Sequence, residues 1–239
     1  MPTTTSSATS VSENPVRDQF EALLADYQRI RHEESLKHHP LHGVMRDVKE
    51  RFETSEVVVA HPYLKVKPSL GQGRWAETPT IAFLDCRKTT TAQRGMFVIY
   101  RFRPDGTAMY LILGQGIDQA ESTAHLRERV TTNRRHLEHL SALGFALADI
   151  TGLRSKAHED AVYSQSVIAH KRYEHGHIPD DPTLFADLNA LLAAYERCLW
   201  VHKNASDGVA DTASKRRGVR ALRPATRQGG SVVKVRGHT

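Results

Sequence analysis

The chain has 239 residues, 39% of them hydrophobic and 25% charged, with a formal net charge of +6 and a pI near 9.4, which is enough apolar material for a sizeable core. It contains no run of about 18 apolar residues and no charged leader followed by an apolar stretch, so neither membrane insertion nor secretion is expected. The cysteines Cys86 and Cys198 fit neither a disulfide framework nor a zinc-knuckle spacing, and a reducing, cytoplasmic setting is expected.

The positive charge is unevenly placed. Residues 215–239 hold eight Lys/Arg and no acid, and residues 64–103 carry a balance of +6, whereas 1–63 sum to −3 and 104–214 to −5. A mildly acidic body with one basic stretch suggests a localised anion site. Residues 1–13 are mostly Ser, Thr and Ala, and 204–239 contain no Phe, Tyr or Trp. The expected organisation is therefore a disordered N-terminal segment (1–13), one folded domain (14–203) and a disordered basic tail or linker (204–239).

Within the domain, Asn14-Pro15 is a helix-start signal. Phe20, Leu23, Leu24, Tyr27 and Ile30 then recur at helical spacing to about Glu34. A second helix is predicted over Gly43 to Thr54. From Tyr63 to Lys67 the period is two, which predicts a strand closed by Pro68. The loop Ser69 to Trp75 follows, then an apolar strand Thr80 to Leu84, a polar loop Asp85 to Arg94, and a strand Met96 to Arg103. Pro104-Asp105-Gly106 turns this strand into Ala108 to Leu113. Helical patterns cover Ala120 to Leu140 and, with Asp181 as cap, the stretch to about Val201. The fold class is thus α+β: a curved, mostly antiparallel sheet surrounded by helices in a single domain.

No chemistry-bearing motif emerges. Neither Gly71-Gln72-Gly73 nor Gly114-Gln115-Gly116 continues into a phosphate-binding or dinucleotide fingerprint. Of the 14 histidines, the pairs His136/His139 and His175/His177 lack a third ligand at a recognisable spacing. Ser69, Ser164 and Ser166 have no nucleophile-elbow context, and Asp85 near Lys88 is too short a phrase for a nuclease core. No metal, cofactor or catalytic residue is expected. Loop cations, glycines that permit close approach, and the aromatics Trp75, Phe97, Tyr100 and Tyr163 suit nucleic-acid binding. They also suit a protein-interaction surface.

One ordered series of phrases adds to this. Leu64-Lys65-Val66-Lys67-Pro68-Ser69-Leu70-Gly71-Gln72-Gly73-Arg74-Trp75 is followed by Pro79, then Ile81-Ala82-Phe83-Leu84, then Gly95-Met96-Phe97-Val98-Ile99-Tyr100. With the Tyr163 to Tyr173 stretch, Ile178-Pro179-Asp180 and the terminal helix, the series resembles the McrB N-terminal DNA-binding domain family (MrcB-like N-terminal domain) over about residues 15–200. The resemblance implies a DNA-binding specificity module of a modification-dependent, type IV-like restriction system. Such a module binds duplex DNA carrying a modified cytosine such as 5-methylcytosine, flips that base into an aromatic pocket, and leaves cleavage to a GTPase motor and nuclease effector. On that reading Lys65, Lys67, Arg74 and Arg94 contact phosphates, and Ser69, Gly71 and Gly73 let the loop enter a groove. Gln72 fills the space a base vacates, and Trp75, Thr80, Phe97 and Tyr163 form the base pocket. Two positions depart from the best-known member, which carries a tyrosine at Gln72 and a tryptophan at Thr80. The alternative is a non-catalytic protein- or RNA-interaction module of a defence system.

Overall fold

The computed structural model describes residues 15–220 other than 93, 118–121 and 155, with the side chains of 202–220 outside that description. Helix α1 (Val16–Glu33) buries Val16, Phe20, Leu23, Leu24, Tyr27 and Ile30 along one stripe, as its three- and four-residue spacings dictate. Helices α2 (Leu41–Glu53) and α3 (Glu56–Val59) follow. Five strands, β1 (Leu64–Gly71), β2 (Trp75–Asp85), β3 (Met96–Phe102), β4 (Ala108–Gln115) and β5 (Val167–Glu174), form one antiparallel sheet in sequential order. Between β4 and β5 lie α4 (Thr123–Arg135), a 3-10 turn (Glu138–Leu143) and α5 (Ala157–Gln165). Helix α6 (Asp181–Arg220) closes the described chain. The α+β class and the antiparallel sheet agree with the sequence reading.

The helix entrances differ from it. The expected cap Asn14 lies outside the described residues. The backbone N–H groups of Val16 and Arg17 instead donate to the Asp181 carboxylate at 3.1 and 3.0 Å, and Arg51 Nη2 reaches the same group at 3.3 Å. Asp181 therefore caps α1 across the fold, and Asp180 caps α6 by accepting from Thr183 N at 3.1 Å.

Three strand expectations also change. Pro68 does not close β1 but sits inside it opposite Ile81; β1 is an edge strand, where a missing N–H is tolerated. β2 begins at Trp75 rather than Thr80. A fifth strand, β5, occupies the Val167–Glu174 stretch, which the sequence left unassigned. Helix α6 continues past Val201 to Arg220, so residues 204–220, read as irregular tail, carry helical backbone. Ala, Lys and Arg in that stretch are good helix formers. Residues 1–13 and 221–239 lie outside the described residues.

The chain divides after Cys198 into two compact units, and the first holds the core. On one sheet face Phe20 and Phe52 meet Tyr100 at 5.3 and 5.6 Å between ring centroids, and Phe83 meets Phe52 at 5.1 Å. Tyr100 is fully buried, and its hydroxyl donates to Leu184 O at 3.1 Å, pinning α6 to the middle strand.

Candidate functional site

Antiparallel partners stand side by side on one face, so the register sorts the second face of the sheet into rows. One row runs Ser69, Thr80, Arg101, Tyr110, Arg172, and the next runs Lys67, Ala82, Ile99, Ile112, His170. With neighbouring strands about 4.8 Å apart, Lys67 stands roughly 10 Å from Ile99 along its row.

This face is only partly covered. Ala82, Leu84, Phe97, Ile99, Tyr110 and Ile112 pack with Ile150, Leu153 and Val167, and Ala92 and Tyr163 close over them. Beside that cluster is a cavity of about 300 Å³ lined by Ala92, Phe97, Ile99, Arg101, Gln115, Gly116, Ile117, Arg154, Tyr163 and Ser166, at the small end of the range for ligand sites, roughly 300–1,000 Å³. Strand β3 supplies its floor and α5 supplies Tyr163. The loop before α5 is held by Asp160, whose carboxylate accepts from Gly152 N, Leu153 N and Arg154 N at 2.7, 2.7 and 3.0 Å. At the end of β4, Gln115 N donates to Ser166 O at 2.8 Å, and the Gln115 side chain donates to Gly95 O at 3.1 Å. The cavity walls thus come from β3, the end of β4, α5 and the loops that precede β3 and α5.

The hairpin between β1 and β2 is anchored on the other face. Gly71, with φ of +123°, faces Trp75, and a β-carbon on it would lie 2.1 Å from Arg74 O, so only glycine fits there. The exposed tip is Gln72, Gly73 and Arg74. Between Ser69/Thr80 and Gly71/Trp75 the register shifts, leaving β2 with extra residues at 76–79 and carbonyls without ladder partners. Helix α1 serves two of them and one β1 carbonyl: the Tyr27 hydroxyl shares its proton between Ala76 O at 2.9 Å and Leu70 O at 3.3 Å, and Gln28 Nε2 donates to Glu77 O at 3.2 Å. Trp75 packs edge-on against Tyr27 and His39, and its Nε1 donates to Glu34 O at 2.8 Å.

Not every cation of the 64–103 stretch is available to a partner. Asp85, 1% exposed, accepts from Arg87 N, Nε and Nη2 at 2.9, 2.9 and 2.7 Å and from Tyr195 Oη at 3.2 Å. Burial raises the Asp85 pKa, but the bonds from Arg87 and Tyr195 outweigh it and hold the carboxyl below its ordinary value. The Arg87 guanidinium also lies 3.5 Å from the Tyr63 ring centroid, and Tyr63 Oη bonds to Glu196. Arg103 pairs with Asp105 at 2.7 Å in the β3–β4 turn. Lys65, Lys67, Arg74, Lys88 and Arg94 are exposed. Lys67 Nζ donates to Thr90 O at 2.9 Å, which tethers the β2–β3 loop without neutralising the charge. Arg87, Lys88 and Arg94 join Cys86, Thr89, Thr90 and Thr91 around a second concavity of about 440 Å³.

The structure therefore brings some of the sequence-derived residues together and separates others. Phe97 and Tyr163 line the main cavity, and Thr80 neighbours it as the cross-strand partner of Arg101. Lys65, Lys67 and Ser69 share its face of the sheet. Gly71, Gln72, Gly73 and Arg74 form the hairpin end, and Arg94 lies on the β2–β3 loop. Trp75, expected in the base pocket, is elsewhere: its ring belongs to the α1 side, where it anchors the hairpin. Arg101 and Arg154 line the cavity but were not singled out, since an arginine in a strand reads as one more surface cation. Among the described residues no three His, Cys, Asp or Glu side chains converge as a metal site, and no helix is long and apolar enough to cross a membrane.

No curated protein matches the sequence. The family described as MrcB-like, N-terminal domain matches residues 22–199, a span running from α1 into α6 that contains the whole sheet and every cavity-lining residue. The chain belongs to the MrcB-like N-terminal domain family.

Proposed function

We propose that this chain is the non-catalytic specificity module of a modification-dependent restriction system and reads a modified cytosine in duplex DNA by accepting the flipped base. The observation that carries this reading is the cavity walled by Phe97 and Tyr163 on the face where Lys65 and Lys67 stand exposed. Extruding a base costs a few kcal/mol of pairing and stacking, which aromatic and apolar contact in a closed site offsets. Phosphate contacts from Lys65, Lys67, Lys88 and Arg94 supply sequence-independent affinity and hold the duplex over the cavity. Arg74 and Gln72, at the exposed hairpin end, approach the groove, and the Gln72 amide pairs with the orphaned partner base. DNA cleavage and GTP hydrolysis then belong to partner subunits.

The test is a titration of the full chain against duplexes containing one 5-methylcytosine, one 5-hydroxymethylcytosine or none, over a range of salt concentrations. The expected result is a salt-dependent affinity common to all three plus a preference for modified duplexes that Phe97→Ala or Tyr163→Ala abolishes. Equal binding of the three duplexes at every salt concentration would overturn the reading.

A further inference from the structure

The cavity contains more positive charge than a methylated base requires. Arg101, on the central strand β3, is only 8% exposed. Its guanidinium lies 4.8 Å from the Tyr163 ring centroid, and Nη2 makes one long bond, 3.5 Å, to Leu153 O. Among the described residues its Nε has no hydrogen-bond partner, and no carboxylate lies within ion-pairing distance of the group. Arg154, also in the cavity lining, spends Nη2 on Glu159 at 3.0 Å, but among the described residues its Nε is without a partner, as is the Tyr163 hydroxyl.

A guanidinium withdrawn from water without a counter-charge is costly, and such groups are normally paired. Stacking on Tyr163 offsets part of that cost, and only part. The remainder is recovered when an acceptor enters. Carboxylate suits the planar fork of an arginine, which can donate two parallel N–H bonds to it. A methyl group gains apolar contact with Phe97 and Ile99 but offers the Arg101 guanidinium no acceptor.

We infer that the cavity is built for a cytosine whose 5-substituent is anionic, a 5-carboxylate, with Arg101 as its direct partner and Arg154 and the Tyr163 hydroxyl as additional donors. This rests on the base-reading function proposed above and deepens it by naming the class of modification. Phe97 and Ile99 take the base plane while Arg101 takes the substituent.

The experiment compares the full chain on four otherwise identical duplexes, carrying 5-carboxylcytosine, 5-hydroxymethylcytosine, 5-methylcytosine or cytosine, at one fixed salt concentration. Arg101→Met and Arg101→Lys variants, checked for intact folding by thermal melting, are run in parallel. The expected preference for the carboxylated over the methylated duplex is about 10- to 100-fold, the range for one charge-assisted contact. Arg101→Met should erase that preference, and Arg101→Lys should retain part of it. Methylated duplex bound as tightly as carboxylated duplex would overturn the inference and leave the base-reading function standing. So would an Arg101→Met variant that binds all four duplexes in the wild-type ratio. No preference among the four duplexes in the wild type would remove the base-reading function itself, and this inference with it.

Discussion

The ring of Phe97 rests on the bare backbone of Gly114, its partner on the neighbouring strand: a β-carbon at Gly114 would lie 2.7 Å from Phe97 Cζ. Glycine is needed here to make room for a ring. Gly114→Ala should push Phe97 out of the cavity floor and cost about 1–3 kcal/mol as overpacking. In thermal melts the variant should unfold earlier, and in duplex titrations it should lose discrimination between bases while keeping its salt-dependent affinity.

On the base-reading proposal, phosphate contact and base readout fall to different residues, so they should separate. Lys65→Ala, Lys88→Ala and Arg94→Ala are each expected to lower the slope of log affinity against log salt by about one and to weaken all duplexes alike. The ratio of modified to unmodified binding should stay at the wild-type value. A changed ratio would place that side chain at the base rather than at a phosphate.

Trp75 and Tyr27 should behave as a structural pair. Tyr27→Phe leaves the carbonyls of Ala76 and Leu70 without the hydroxyl that serves both, at a cost of about 1–3 kcal/mol. Hydrogen exchange over residues 70–77 should accelerate. Trp75→Phe, which loses the bond to Glu34 O, should loosen the same segment, and neither change should alter which base is preferred.

The Asp85 carboxyl makes a directional prediction for acid stability. Its folded pKa lies below the ordinary carboxylate value, so its contribution is fully present above the unfolded value of about 3.9 and is lost as the pH falls through the folded one. Arg87→Gln should therefore be less stable than wild type at neutral pH, with the gap narrowing below about pH 4. Denaturant melts at pH 7, 5 and 3 would check it; a gap independent of pH would show that Arg87 acts through Tyr63 and not through Asp85.

The elements legible in the sequence were those whose burial follows a simple period. The α1 stripe and the β3–β4 hairpin could be read because their apolar spacing and turn residues agree with their tertiary roles. Strand β5 was obscure because Lys171 and Arg172 make its second half look like a solvated loop, whereas Lys171 is bonded to Asp187 at 2.7 Å and Tyr173 to the same carboxylate at 2.9 Å. Within the site, Phe97 was visible as an aromatic in the basic stretch and Tyr163 only through the family resemblance, but residue type could not separate Trp75 from them; its contacts with Tyr27, His39 and Glu34 O do. Arg101 was hidden for the opposite reason, since nothing local marks an arginine as buried. Asp181 was recognised as a cap, but the helix it caps lies more than 160 positions away in the chain.

Strand β1 is the open margin of the sheet, and its composition bears on how the molecule behaves in company. An unpaired strand edge invites a second chain to add on by backbone hydrogen bonding, and lysines and proline are among the residues that discourage it. Lys65, Lys67 and Pro68 stand together on that margin. The lysines proposed to contact phosphate thus also discourage two copies from zipping together along their edges, so neutralising both should promote self-association as well as weaken the proposed DNA binding.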